Sequence, residues 1–141
     1  MRLSTAPVIL TMPIFEKTPD PPPRIHAIAS VHIEAGRGLE DKLRWFYADL
    51  LGLESGVAEP GALHFQTGRR QLCIALGARP RSSPLRRRLV LEIPSLDQMR
   101  ERLEELRIPY EWYEGLGLTD KRIYLLDPAR NRIELKQVWA L

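Results

Sequence analysis

Cysteine is nearly absent from this chain: Cys73 is the single one among 141 residues. No internal disulfide can form, a cysteine-rich zinc module is excluded, and a reducing cytoplasm suits such a chain. Also missing is any apolar run approaching the roughly 18 residues that a membrane span needs. The apolar patch from Ala6 to Leu10 is interrupted by Pro7, followed by Pro13 and preceded only by Arg2, which makes a poor secretory leader. A dominant charge is lacking too, because 21 Lys and Arg face 18 Asp and Glu for a net +3. No global field demands a nucleic acid, and the basic run of Arg79, Arg81, Arg86, Arg87 and Arg88 has none of the aromatic interleaving of single-strand binders. The expectation is a soluble cytoplasmic protein without membrane or nucleic-acid partners. The basic run is then either a solvated loop or an anion site.

What is present is a repeated grammar of short elements. Residues 1–24 end in Pro19, Pro21, Pro22 and Pro23, which remove backbone donors and read as a tail outside the fold. Residues 25–141 read as one domain, because pieces of about sixty residues bury too little surface to stand alone. Within it, Ile25 to Glu34 alternates as a strand with Val31 and Ile33 on one face and Ser30, His32 and Glu34 on the other. Leu39, Leu43, Phe46 and Leu50 then mark a helix face that stops at Gly52. Three short strands follow at about 54–58, 62–67 and 70–76, separated by Pro60-Gly61 and Thr67-Gly68.

After the arginine-rich stretch the order begins again. A strand over 86–93 leads to Ser95 and Gln98, a helix-opening pair, and to the stripe Leu96, Met99, Leu103 and Leu106 before Pro109. Strands near 110–115, 121–126 and 132–138 complete the second half, with Asp127-Pro128 to Asn131 supplying the last turn. The chain therefore reads as two βαβββ modules, about 25–77 and 86–138, in an α+β fold. Helices cover one side of each sheet, so the other side faces water or lines a shared hollow.

In the first module, His32-Ile33 is followed fourteen residues after the histidine by Phe46-Tyr47 and then by Leu50-Leu51-Gly52-Leu53. In the second, Leu125-Leu126-Asp127-Pro128 leads to Asn131, Ile133, Glu134 and Leu135. Together these resemble the paired motifs of the glyoxalase, bleomycin-resistance and extradiol-dioxygenase (vicinal oxygen chelate) superfamily, over about Ile28 to Gln137. The resemblance implies an open, half-barrel cup, commonly completed by pairing or swapping modules, so a homodimer is expected. It also implies a square of metal positions falling on His32, Cys73, Arg88 and Glu134. His32 and Glu134 match ligand types of that family; Arg88 stands where a histidine is usual, and a guanidinium only donates and stays protonated.

Two chemistries remain open at this stage. With a divalent ion (zinc, iron, manganese or nickel) on His32 and Glu134, the site would be that of a lyase, isomerase or dioxygenase. Without one, Arg88 pairs with Glu134 and the cup holds a small organic anion through Arg88 and Arg132, with His32 and Glu134 available for proton chemistry. Cys73, Tyr124 and Trp112 are further ligand-binding candidates; for the cysteine the plainer reading is a buried inert thiol, and for the aromatics packing. His64 alternates with Leu63 and Phe65 and reads as solvent-facing. A third possibility is an interaction module that engages a protein partner through the Pro-rich tail and basic loop.

Overall fold

The computed structural model describes residues 23–25, 28–57, 59–77, 88–117 and 119–138. Most of the expected tail, and Arg79, Arg81, Arg86 and Arg87 of the basic run, lie outside them. Among the described residues, alternating apolar residues build eight strands, and two helices come where the period lengthens to that of a helix. The first module runs β1 (Ser30–Gly36), α1 (Glu40–Arg44), a π-helical continuation (Trp45–Leu50), β2 (Glu54–Ser55), β3 (Ala62–Thr67) and β4 (Arg70–Gly77). The second runs β5 (Arg88–Ile93), α2 (Leu96–Glu105), β6 (Glu111–Glu114), β7 (Lys121–Leu126) and β8 (Arg132–Gln137).

Each module forms its own four-stranded mixed sheet, ordered β1-β4-β3-β2 and β5-β8-β7-β6. The first strand of each pairs in parallel with the last, and the remaining pairs are antiparallel. The expected α+β architecture of two βαβββ modules is therefore the observed one. β1 starts at Ser30 rather than Ile25, because β4 offers its first partner, Gln71, only there. β2 is shortened to two residues at the sheet edge, where it pairs only with Gln66 and Phe65.

Register places Ile33, Ala35, Leu63, Phe65, Leu72 and Ile74 on one side of the first sheet, all buried with Leu43, Phe46, Tyr47 and Leu50 of the first helix. The helix end widens into π geometry, with Leu51 N donating to Phe46 O at 3.0 Å, so consecutive Phe46 and Tyr47 are both buried. Gly52 ends it at φ 80°, a left-handed conformation that glycine adopts without steric cost. In the second module, Ser95 Oγ accepts from Gln98 N at 3.1 Å, satisfying a helix-end donor as the sequence pattern requires. Leu96 and Leu103 of α2 then bury against Ile123, Ile133 and Leu135.

A buried polar knot ties the modules together. Asp127 accepts from Ala129 N, Asn131 N and Asn131 Nδ2, each at 2.8 Å, and from Tyr47 Oη at 2.5 Å. Asn131 Nδ2 also donates to the Glu34 carbonyl at 3.0 Å. Burial, then the Asp127 charge and the hydrogen bond to it, raise the Tyr47 hydroxyl well above the usual tyrosine range, so it stays a donor. The turn expected at 127–131 thus also joins the second sheet to the first helix and β1.

Candidate functional site

Strand parity puts the polar residues of both sheets on the side opposite the helices. On the second sheet this open face carries Arg88, Val90 and Glu92 from β5, Arg132, Glu134 and Lys136 from β8, and Arg122, Tyr124 and Leu126 from β7. Glu134 is the centre of the cluster. Its Oε1 lies 3.5 Å from Arg88 Nη2 and its Oε2 lies 3.3 Å from Arg122 Nε. Arg122 also reaches Asp120 Oδ1 at 3.5 Å.

The Glu134 side chain is only 12% exposed, whereas that of Arg88 is 58% exposed. A carboxylate so enclosed needs cationic partners, and the two guanidiniums supply them. The pairing of Arg88 with Glu134, one of the two alternatives the sequence leaves open, is present. Arg122 was not among the expected site residues. Its place opposite Lys136 in β8, one strand over from Glu134, was the signal that could have found it.

A cavity of about 730 Å³ opens beside this cluster. Arg88, Arg132 and Glu134 supply charge, Tyr124 and Leu126 an apolar side, and Ile108 to Glu111, between α2 and the start of β6, the far wall. Its size falls in the ordinary range for a small-molecule site. Arg132 sits beside Arg88 in register, is exposed, and has no carboxylate within ion-pair distance among the described residues. Tyr124 stands opposite Glu134 and meets Tyr113 edge to face, with ring centroids 6.4 Å apart.

The other expected site residues are placed elsewhere. Of the two readings of Trp112, packing is the observed one: it pairs with Ile123, packs against the core from the helix side, and carries the Arg100 guanidinium 4.3 Å above its ring. Parity is the physical reason, since Glu111 and Tyr113, not Trp112, share the face of Tyr124. His32 is exposed on β1 and meets Ser30 Oγ at 3.1 Å, and it does not line the cavity. Cys73 is buried on β4 and is likewise absent from the cavity wall. His64, read as solvent-facing, is in fact half-buried between Cys73 and Glu59.

A divalent metal does not fit these residues. Glu134 is already held by two guanidiniums, and His32 lies outside the cavity that contains it. Among the described residues no three His, Cys, Asp or Glu side chains are grouped to hold an ion. A cation bound to Glu134 would also face Arg88, at a cost of several kcal/mol for an effective dielectric of about 20, reduced by solvent around the exposed arginine.

No family model matches the sequence, and no curated protein matches it. Solved structures do match. A lactoylglutathione lyase from Agrobacterium tumefaciens superposes with TM-score 0.66 at 22% identity, covering 86% of this chain and 100% of its own. An antibiotic-binding protein from a Streptomyces species gives TM-score 0.64 at 20% identity, over 82% of this chain and 98% of its own. A glyoxalase/bleomycin resistance protein/dioxygenase from Alicyclobacillus acidocaldarius gives 0.60 at 21%, over 82% and 93%. The chain therefore shares the fold of these glyoxalase and bleomycin resistance/dioxygenase proteins.

Proposed function

We propose that this protein binds a small organic anion with a flat apolar body in the cavity of its second sheet, without a divalent metal. The observation that carries this reading is the state of Glu134. Held by Arg88 and Arg122, it leaves Arg132 and the exposed part of Arg88 to meet an incoming anion. Arg88 and Arg132 line the cavity with Glu134 and Glu111, and Arg122 behind Glu134 is shared with Asp120. Tyr124, Leu126 and Ile108 offer apolar and aromatic contact to the body of the ligand. In this reading Glu134 positions the arginines rather than reacting. The antibiotic-binding neighbour lends support, as a protein of this fold that holds an organic molecule.

A homodimer belongs to the proposal. Val90, Tyr113 and Leu126 are nearly half exposed on the open face of the second sheet, and a second copy would cover them. A reducing cytoplasmic setting, with neither nucleic acid nor membrane as partner, belongs to it as well. Among the described residues no helix is long and apolar enough to cross a membrane.

Calorimetric titration with aromatic carboxylates, using the matching neutral amides as controls, tests the binding claim. The carboxylates are expected to bind about tenfold or more tightly than the amides, the value of one charge-assisted contact. Equal affinity for both sets would sink the anion reading. Stoichiometric zinc, iron, manganese or nickel in the purified protein would instead favour a metal-dependent lyase, isomerase or dioxygenase.

A further inference from the structure

The first module holds a separate set of reactive side chains. Cys73 on β4 is flanked in register by His32 on β1 and His64 on β3. His64 Nδ1 lies 3.2 Å from Cys73 Sγ, and His64 Nε2 lies 2.7 Å from Glu59 Oε2. Glu59 is anchored by its bridge to Ala62 across the Pro60-Gly61 turn, which sets its carboxylate beside the imidazole. Gly56 lies against the base of His64: its N donates to His64 O at 2.7 Å, and an added Cβ would come to 3.0 Å from His64 Cβ.

The chemistry of the two contacts fixes the tautomer. An ionised carboxylate only accepts, so Nε2 carries the proton and Nδ1 turns its lone pair to the sulfur. Thiol, base and orienting carboxylate then stand in the order that activates a nucleophile. The three form a line rather than a cage, consistent with the lack of any three-residue metal group among the described residues. Cys73 keeps 6% of its surface exposed, on the sheet face that no helix covers, so any reactant must be small.

We propose that Cys73 is a base-assisted nucleophile that adds to small α,β-unsaturated carbonyl compounds. His64 Nδ1 takes the thiol proton as Sγ bonds to the β-carbon of the acceptor. The π electron pair of the carbon–carbon double bond moves to the α-carbon side as an enolate, and the imidazolium returns the proton to the α-carbon. One S–H bond and the π component of one C=C bond are replaced by one C–S and one C–H bond, and the C–C single bond remains. The addition needs no oxidant and expels no leaving group, which suits a site with only these three groups.

The test is the rate of adduct formation with acrylamide at neutral pH, read by intact mass, where the single cysteine makes the mass shift unambiguous. The folded protein is expected to react about tenfold or more faster than the same chain unfolded in guanidinium chloride, because a positioned base contributes about a hundredfold or more and the burial of Cys73 offsets part of it. His64→Ala both removes the base and uncovers the thiol, so the two explanations predict opposite signs. A drop of about tenfold, shared by the bulkier His64→Gln and smaller in Glu59→Gln, supports the proposal, with Cys73→Ser giving no adduct. A faster or unchanged rate in His64→Ala, or a folded rate no higher than the unfolded one, overturns it and leaves a merely buried thiol. Circular dichroism of each variant separates loss of fold from loss of the base.

Discussion

The two modules repeat one topology and carry different chemistry on the same face. In each, the first and last strands pair in parallel at the position facing the open side, so β1 with β4 and β5 with β8 are equivalent frames. The first frame presents His32, Cys73 and, one strand further, His64, of which the thiol and the His64 imidazole are in contact. The second presents Arg88, Arg132 and Glu134 with Arg122 alongside, a set of full charges around a cavity. The backbone repeat fixes which positions point to the open face. The side chains at those positions decide whether that face suits proton chemistry or anion recognition.

The comparison breaks most completely where the modules are joined. Asp127→Ala removes the acceptor of four hydrogen bonds, including those of Tyr47 and Asn131, and takes away the buried carboxylate to which the Tyr47 hydroxyl donates. A loss of about 4 kcal/mol in urea unfolding is expected, with both sheets affected together. A loss under about 1 kcal/mol would mean that the modules hold without this knot.

Tyr47→Phe should cost about 2 kcal/mol at neutral pH, since it removes one bond to a charged acceptor. Its pH dependence sharpens the point. The folded chain keeps the Tyr47 proton above the ordinary value of 10.0, while the unfolded chain releases it there. Wild-type stability therefore falls as pH rises through about 10, by up to about 1.4 kcal/mol per unit from this group, and the variant lacks that fall. The stability gap between the two should narrow from about pH 9 to about pH 11; a constant gap would refute the buried donor.

Within the second module, Arg132→Gln is expected to weaken aromatic carboxylate binding about tenfold in calorimetry, with the fold unchanged. An equal affinity would shift the anion contact to Arg88. The smallest effect is expected from the first module. His32→Ala should change that affinity less than about twofold, because His32 does not line the cavity in one chain. A larger loss would show that a second copy brings its own first module to the site.

Much of this could be read from residues alone. The 3.6-residue stripes of Leu39, Leu43, Phe46 and Leu50 and of Leu96, Met99 and Leu103 located both helices, since such spacing serves no other regular element well. Alternation assigned Arg88, Arg132 and Glu134 to one face, and the opposite charges of Arg88 and Glu134 made their pairing legible. For Trp112 ligand contact and packing both stayed open, because an aromatic fits either face of a short strand, and pairing with Ile123 put it against the core. His64 was taken for a surface residue because its partner Glu59 lies across a turn, and Cys73 on another strand, where sequence spacing says nothing of side-chain contact. Arg122 was missed for a similar reason, being brought to Glu134 by the pairing of β7 with β8.

By itself the sequence determined the order of elements, the open and buried faces of β1, β4, β5 and β8, and the absence of an internal disulfide, because these follow from local periodicity and composition. Only the tertiary structure decided that Glu134 is held by two arginines, that the cavity belongs to the second module without His32, and that a thiol, an imidazole and a carboxylate stand in line on the first. Each of those depends on which strands lie side by side and how far their side chains reach, distances that pairing across the chain sets and local spacing does not.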